Sequence, residues 1–168
     1  AYLPSVNAKS DASASVAKYY VYNYDGTDVA TAKSSSYYTT YGVLYNWTAA
    51  MEGASSSTAS PGGVQGVCPT GWHLPSSAEW ATLETYVGGA GTAGTKLKSV
   101  SGWTRGITGT DAYGFSALPS GYYNGSDFYN ALNYGYWWSA TENDATNAYG
   151  RYMLYDGVDV TSDNYNKN

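Results

Sequence analysis

The stretch Cys68-Pro69-Thr70-Gly71-Trp72-His73-Leu74-Pro75-Ser76-Ser77-Ala78-Glu79-Trp80 carries the densest structural signal in the chain. Pro75 closes an extended segment, Ser76 is a helix N-cap, and Glu79 three residues on completes a capping box. Trp80, Leu83 and Val87 then recur at helical spacing until Gly88-Gly89 stops the run. Upstream, Tyr41 to Glu52 passes from aromatic and β-branched residues to a helix-favouring end, with Gly53 as terminator. Further back, Lys18 to Tyr24 alternates as a strand does, and Asp25-Gly26 is a turn signal. Ser55 to Gly66 is a small-residue loop. From Trp103 onward the pattern changes to short aromatic segments, such as Tyr113 to Leu118 and Tyr149 to Tyr155, separated by Gly, Asn and Asp. The expectation is an α+β fold: two early helices, then an antiparallel sheet with long loops.

At 168 residues the chain supports one core, so residues 1–168 are read as a single domain whose first forty residues form a strand and loop region. Eight basic against thirteen acidic side chains give a net charge of −5, and no Lys/Arg cluster is available to neutralise phosphates. Nucleic acid is therefore excluded as the expected partner. No window approaches the length of apolar chain that spans a membrane. Cys68 stands alone, which rules out an internal disulfide and zinc sites built on paired cysteines. The lack of a leader-like start, together with few charges and many Tyr, Thr, Ser and Gly, reads as a processed extracellular or cell-surface product.

Catalytic chemistry finds little purchase. The single histidine, His73, lies between Trp72 and Leu74 at the entrance to the helix, where a structural hydrogen bond is its ordinary role. No nucleophile elbow and no phosphate loop is present. The expectation is a protein that is not an enzyme and needs no cofactor. Calcium is the one metal to consider, through oxygen ligands of Asn143, Asp144, Asp156, Asp159 and Asp163, although Asp and Asn in such places usually shape turns.

The distribution of Tyr and Asn says more. Between Tyr122 and Asn168 lie eight of the eleven asparagines and nine of the twenty tyrosines, so that with Asp they make up 22 of 47 residues. Turns alone do not require this. Tyr offers a large amphipathic contact at small entropic cost and Asn an adaptable hydrogen-bonding group, the vocabulary on which binding loops converge. Region 122–168 is accordingly read as a recognition surface for a protein or glycan ligand. Its contact candidates are Tyr122, Tyr123, Tyr134, Tyr149, Tyr152, Tyr155 and Tyr165, with Asn143, Asn147, Asp156 and Asn164. Trp47, Trp72, Trp80, Trp137 and Trp138 are assigned to the core.

Five blocks, in order, resemble the Fibrobacter succinogenes major paralogous domain family. They are Tyr41-Gly42-Val43-Leu44-Tyr45-Asn46-Trp47, Cys68 to Pro75 with Glu79-Trp80, Ala93 to Lys98, Asp111 to Pro119, and Gly135 to Glu142. The resemblance covers a core at about 41–155. It implies a C-type-lectin-like fold, related to sulfatase-modifying factor domains, in an exported or surface-anchored bacterial protein without general enzymatic activity. The late cysteine pair of formylglycine-generating relatives and the calcium-dependent sugar motifs of lectins have no counterpart here. Some relatives resemble variable proteins diversified by retroelements, and the Asn, Tyr, Asp and Ser content of 133–168 has that composition. Family members carry closing strands upstream of the position of Ala1 and beyond that of Asn168, the latter with a cysteine that would pair with Cys68. The expectation is that these strands belong to a longer polypeptide. The alternative is self-assembly into an extracellular fibre, with a neighbour's strand completing each subunit.

Overall fold

The computed structural model describes residues 12–168. Along the chain run β1 (Tyr19–Tyr20), α1 (Val29–Ser34), α2 (Ser36–Tyr41), β2 (Leu44–Tyr45), α3 (Trp47–Met51), α4 (Ser77–Tyr86) and α5 (Ala90–Leu97). Then follow β3 (Tyr122–Tyr123), β4 (Phe128–Tyr129), β5 (Tyr134–Glu142), β6 (Asn147–Leu154) and β7 (Thr161–Asn166). The helices precede the principal sheet, as an α+β chain requires. β5, β6 and β7 form that sheet in sequential antiparallel order, and β1–β2 and β3–β4 are separate two-stranded ribbons. The first eleven residues of the N-terminal strand and loop region lie outside the described residues.

The first four helices are each started by a side chain that satisfies an orphan N–H. Ser76 Oγ accepts from Glu79 N–H at 3.2 Å and Glu79 Oε2 from Ser76 N–H at 2.8 Å, the reciprocal capping box of α4. Asn46 caps α3 through Ala49 N–H at 2.9 Å. Its amide also accepts from Lys18 N–H and donates to the carbonyls of Ser13 and Val16, so one buried side chain ties the start of the described chain to the helix. Glu52, in left-handed conformation with φ 49°, ends α3 one residue before the glycine.

The structure holds five helices among the described residues where the sequence pointed to two. α1 and α2 are single turns capped by Asp28 and Ser35. α5 contains two glycines, which weakens its helical signature. Gly94 is there for contact: a Cβ on it would lie 2.2 Å from the Asp159 carbonyl oxygen. The helix thus presses directly on the segment before β7.

Two apolar clusters flank β5. Val87, Ala93, Leu97, Ala117, Met153 and Val160 pack with Leu83, Phe115 and Trp137 on the side of α4 and α5. Trp47, Met51, Val64, Ala140 and Ala148 pack with Leu74 and Trp138 on the side of α3. Successive side chains of a strand point to opposite faces, which is why neighbours Trp137 and Trp138 serve different clusters. Trp72 corrects the expected core set: it is 72% exposed, at the crest of the loop before Pro75.

Two of the buried basic side chains tie helices to strands and loops. Arg151 of β6 bonds Glu84 of α4, Nε to Oε1, at 2.5 Å. Lys98, at the end of α5, donates to three main-chain carbonyls.

Candidate functional site

Strand parity builds the site. On β5 the residues Tyr134, Tyr136 and Trp138 share one face, and the register brings Tyr152 of β6 opposite Tyr136. On β7, Tyr165 stands on the same face as the Ala148 and Gly150 row. The rings interlock. Tyr136 stacks on Tyr152 at 5.5 Å and meets Tyr165 edge-on at 5.3 Å, while Tyr122 reaches it from β3 at 5.1 Å. Tyr134 and Trp138 extend the cluster at 6.2 and 6.3 Å, from Tyr136 and Tyr165 respectively. Tyr123 lies beside it, stacked on Tyr20 of β1 at 4.3 Å. Such pairs stabilise one another by about 0.5–1.5 kcal/mol each beyond simple burial, so the rings hold one another in place.

This cluster opens onto a groove of about 1130 Å³. One wall is Tyr122, Tyr123, Tyr136 and Tyr165; the other carries Leu83, Trp80, Phe115 and Trp137; Leu44, Tyr45 and the Trp72 loop close the far side. Trp138 spans towards β2, its indole N–H donating to Tyr45 O at 2.9 Å. Among the lining residues the one carboxylate is that of Glu79, which is hydrogen-bonded to His73 at 2.7 Å. Burial, the largest single influence, pushes the Glu79 carboxyl up, but hydrogen bonds from the N–H groups of Ser76 and Gly62 and from His73 together outweigh it and hold the group below its ordinary range. His73 therefore anchors the loop to the helix cap.

Burial and the neighbouring rings raise the Tyr136 and Tyr165 phenols well above the ordinary tyrosine range, with Asp163 adding to both. The folded state thus prefers the neutral phenol. Stability from this source is complete below the unfolded value of about 10 and is lost as pH rises through the raised folded values. Denaturation midpoints are expected to hold steady to about pH 9.5 and to fall beyond about pH 10. In an absorbance titration at 295 nm, two tyrosines should stay protonated until the fold opens. Ionisation of every ring in the ordinary range would contradict the packing described.

The remaining candidates are elsewhere. Asn143 and Asn147 sit in the β5–β6 turn, where the Asp144 carboxylate accepts from the N–H groups of Thr146 and Asn147 and from the Asn147 amide. These bonds hold the Asp144 carboxyl well below its usual range. The turn consumes its own polar groups. Tyr149 and Asn164 are cross-strand partners on the opposite face from Tyr152 and Tyr165. Tyr155 and Asp156 lie just past β6, outside the groove, with the Tyr155 carbonyl accepting from Ile107 N–H. Asp144, Asp156, Asp159 and Asp163 do not gather: among the described residues no group of three or more His, Cys, Asp or Glu is placed to hold a metal ion. The sequence reading named neither Tyr136 nor Tyr20 and Leu44 for the groove, and it gave Trp138 and Trp72, which also line it, to the core alone. The alternation Tyr134-Gly135-Tyr136-Trp137-Trp138 contained the signal for Tyr136 and Trp138.

Among the described residues no helix is long and apolar enough to cross a membrane. The sequence matches the Fibrobacter succinogenes major domain over residues 2–168, and the chain belongs to that family. No curated protein and no solved structure matches it.

Proposed function

We propose that this member of the Fibrobacter succinogenes major domain family is a non-catalytic recognition domain. It works at the bacterial surface or after secretion and binds a protein or glycan ligand in the tyrosine-lined groove. The observation that carries this reading is the convergence of Tyr122, Tyr134, Tyr136, Tyr152 and Tyr165 from four strands into one ring cluster at a groove of ligand size. Rings locked by their neighbours lose little further entropy on binding, and tyrosines in such settings dominate interface energetics. The C-type-lectin-like topology implied by the resemblance would present this sheet in the same way. Assembly into a fibre is the second reading, favoured by the open edge of β5.

The test uses an array of bacterial and plant polysaccharides together with a displayed peptide library, probed with the whole chain. Tyr165→Ala is expected to weaken the binding found there by about tenfold or more. Tyr149→Ala, on the other face, should leave it within about twofold. Equal sensitivity of the two variants, or loss that merely follows a lowered melting temperature, would remove the groove from the explanation.

A further inference from the structure

β5 has a strand partner, β6, on one side only. In an antiparallel ladder, residues alternate between those whose main-chain N–H and C=O face the partner and those whose groups turn away. The bond from Tyr155 N–H to Asn133 O at 2.8 Å sets the parity. Gly135 and Trp137 face β6, whereas Tyr134, Tyr136 and Trp138 turn their main chain outward. At one end the outward groups are already used: Tyr134 N–H donates to Asn130 O at 2.9 Å, and its carbonyl accepts from Gly121 N–H at 2.8 Å. Past the bulge the other end is closed as well. There Ala140 N–H donates to Pro75 O at 2.8 Å, and its carbonyl accepts from Ser57 N–H at 2.9 Å. Between these closures no described residue outside the sheet bonds the main chain of Tyr136 or Trp138, and both residues line the groove.

We propose that this opening is a strand-acceptor slot, which takes a short, extended, uncharged polypeptide segment of another protein and adds it to the sheet beside β5. The proposal rests on the reading of the groove as a recognition site and names the chemistry of its ligand. Unpaired N–H and C=O groups in register are satisfied in full by another extended main chain. From Tyr134 to Ala140 the edge is about 20 Å long at 3.4 Å per residue, and with its ends closed it admits four or five residues. Their side chains would point alternately to the wall of Tyr122, Tyr136 and Tyr165 and to the wall of Trp80, Leu83 and Phe115. Both walls are apolar, and the one carboxylate on the lining, Glu79, is already engaged by His73 and by the Ser76 N–H. The matching segment is therefore an uninterrupted β-branched or aliphatic run, as in a strand buried on both faces. A glycan would meet the rings but leave the main-chain row unmatched.

The experiment titrates the whole chain with the blocked peptide Thr-Val-Ile-Val-Thr and follows tryptophan fluorescence and amide chemical shifts. Two further peptides carry N-methyl groups at alternate residues, one set on odd and one on even positions. A strand lying on the edge turns only one set of its N–H groups towards β5. One methylated peptide is therefore expected to lose at least tenfold in affinity and the other to stay within about twofold of the parent. Tyr136→Pro, which removes an outward N–H as well as the ring, should reduce binding at least about threefold beyond Tyr136→Ala, which removes the ring alone, with amide chemical shifts checking that both variants keep the fold. Equal binding of both methylated peptides would overturn the slot. So would a polysaccharide that binds in a Tyr165-dependent way while no peptide does, although the aromatic-groove reading would then stand. If neither probe shows Tyr165-dependent binding, the reading itself falls along with the slot.

Discussion

Replacing Arg151 with methionine is expected to lower the unfolding free energy by about 3–5 kcal/mol, the loss typical when one partner of a buried ion pair is removed. Arg151 is 4% and Glu84 9% exposed. The guanidinium also donates to the carbonyls of Gly150 and Ser77, both at 3.2 Å, so it joins β6 to the first and last turns of α4. Without it, a carboxylate stays in the interior with no counter-charge. The cost is that of the stranded ion and not the worth of the pair, so Glu84→Met combined with Arg151→Met should recover most of the loss. In a domain of this size the single variant should melt roughly 10 °C lower. Urea denaturation of the two single variants and the double variant measures the coupling. A single-variant loss below about 1 kcal/mol, or a double variant no better than the single, would show that the pair is not sealed as described. Arg151 points to α4 while Tyr152, next in sequence, points to the groove. Ligand binding by the folded fraction should therefore survive in the double variant.

The parts of the fold legible in the sequence are those fixed by short-range chemistry. Ser76 and Glu79 lie three residues apart and satisfy each other's main chain, so the start of α4 needs no knowledge of the rest of the molecule. α1 and α2 are different. Six residues rich in Ser, Thr and Tyr have weak helical preference, and they hold because Val21 and Ala32 bury against Tyr24, Tyr37, Tyr38 and Val43. α5 escaped notice because Gly94 answers to a distant carbonyl and not to helix propensity. The site divides in the same way. Composition located the tyrosines, and five of the seven named converge or lie beside the cluster. Tyr149 was grouped with Tyr152, yet two strand residues three apart must face opposite ways. Tyr136 was not named and Trp138 was assigned to the core, where it packs, although parity with Tyr134 places both on the face of the ring cluster. The wall formed by Tyr20, Leu44 and Trp72 depends on contacts across more than fifty residues, which no local pattern carries.

Lys98→Met should be as damaging as the loss of Arg151, for a different reason. The Lys98 side chain is fully buried, and its Nζ donates to the carbonyls of Ile107 and Leu154 at 3.0 Å and of Gly157 at 2.8 Å. The ammonium also lies 5.1 Å from the centre of the Trp103 ring. Burial lowers the Lys98 pKa, Asp156 and Asp159 oppose that shift, and the three carbonyls match the three donors of an ammonium ion. Methionine fills the space but supplies no donor, leaving the part-buried carbonyls of Ile107 and Gly157 without the ammonium and that of Leu154 with the Gly157 N–H alone. At about 1–3 kcal/mol for an unsatisfied group, softened by local relaxation, the total loss is about 3–5 kcal/mol. Its location distinguishes it from a general weakening. Ile107 and Gly157 belong to two loops that this ammonium bridges, so their amides, and that of Thr110, should lose hydrogen-exchange protection before those of β5 do. The groove walls built on β5 and β7 do not touch Lys98, and binding per folded molecule should be unchanged. Lys98→Arg is expected to fail as well, because a planar fork does not fit three carbonyls converging on a point. Uniform loss of protection across the sheet, or wild-type stability in Lys98→Met, would show that the carbonyls find other donors and that the lysine is not what holds these loops.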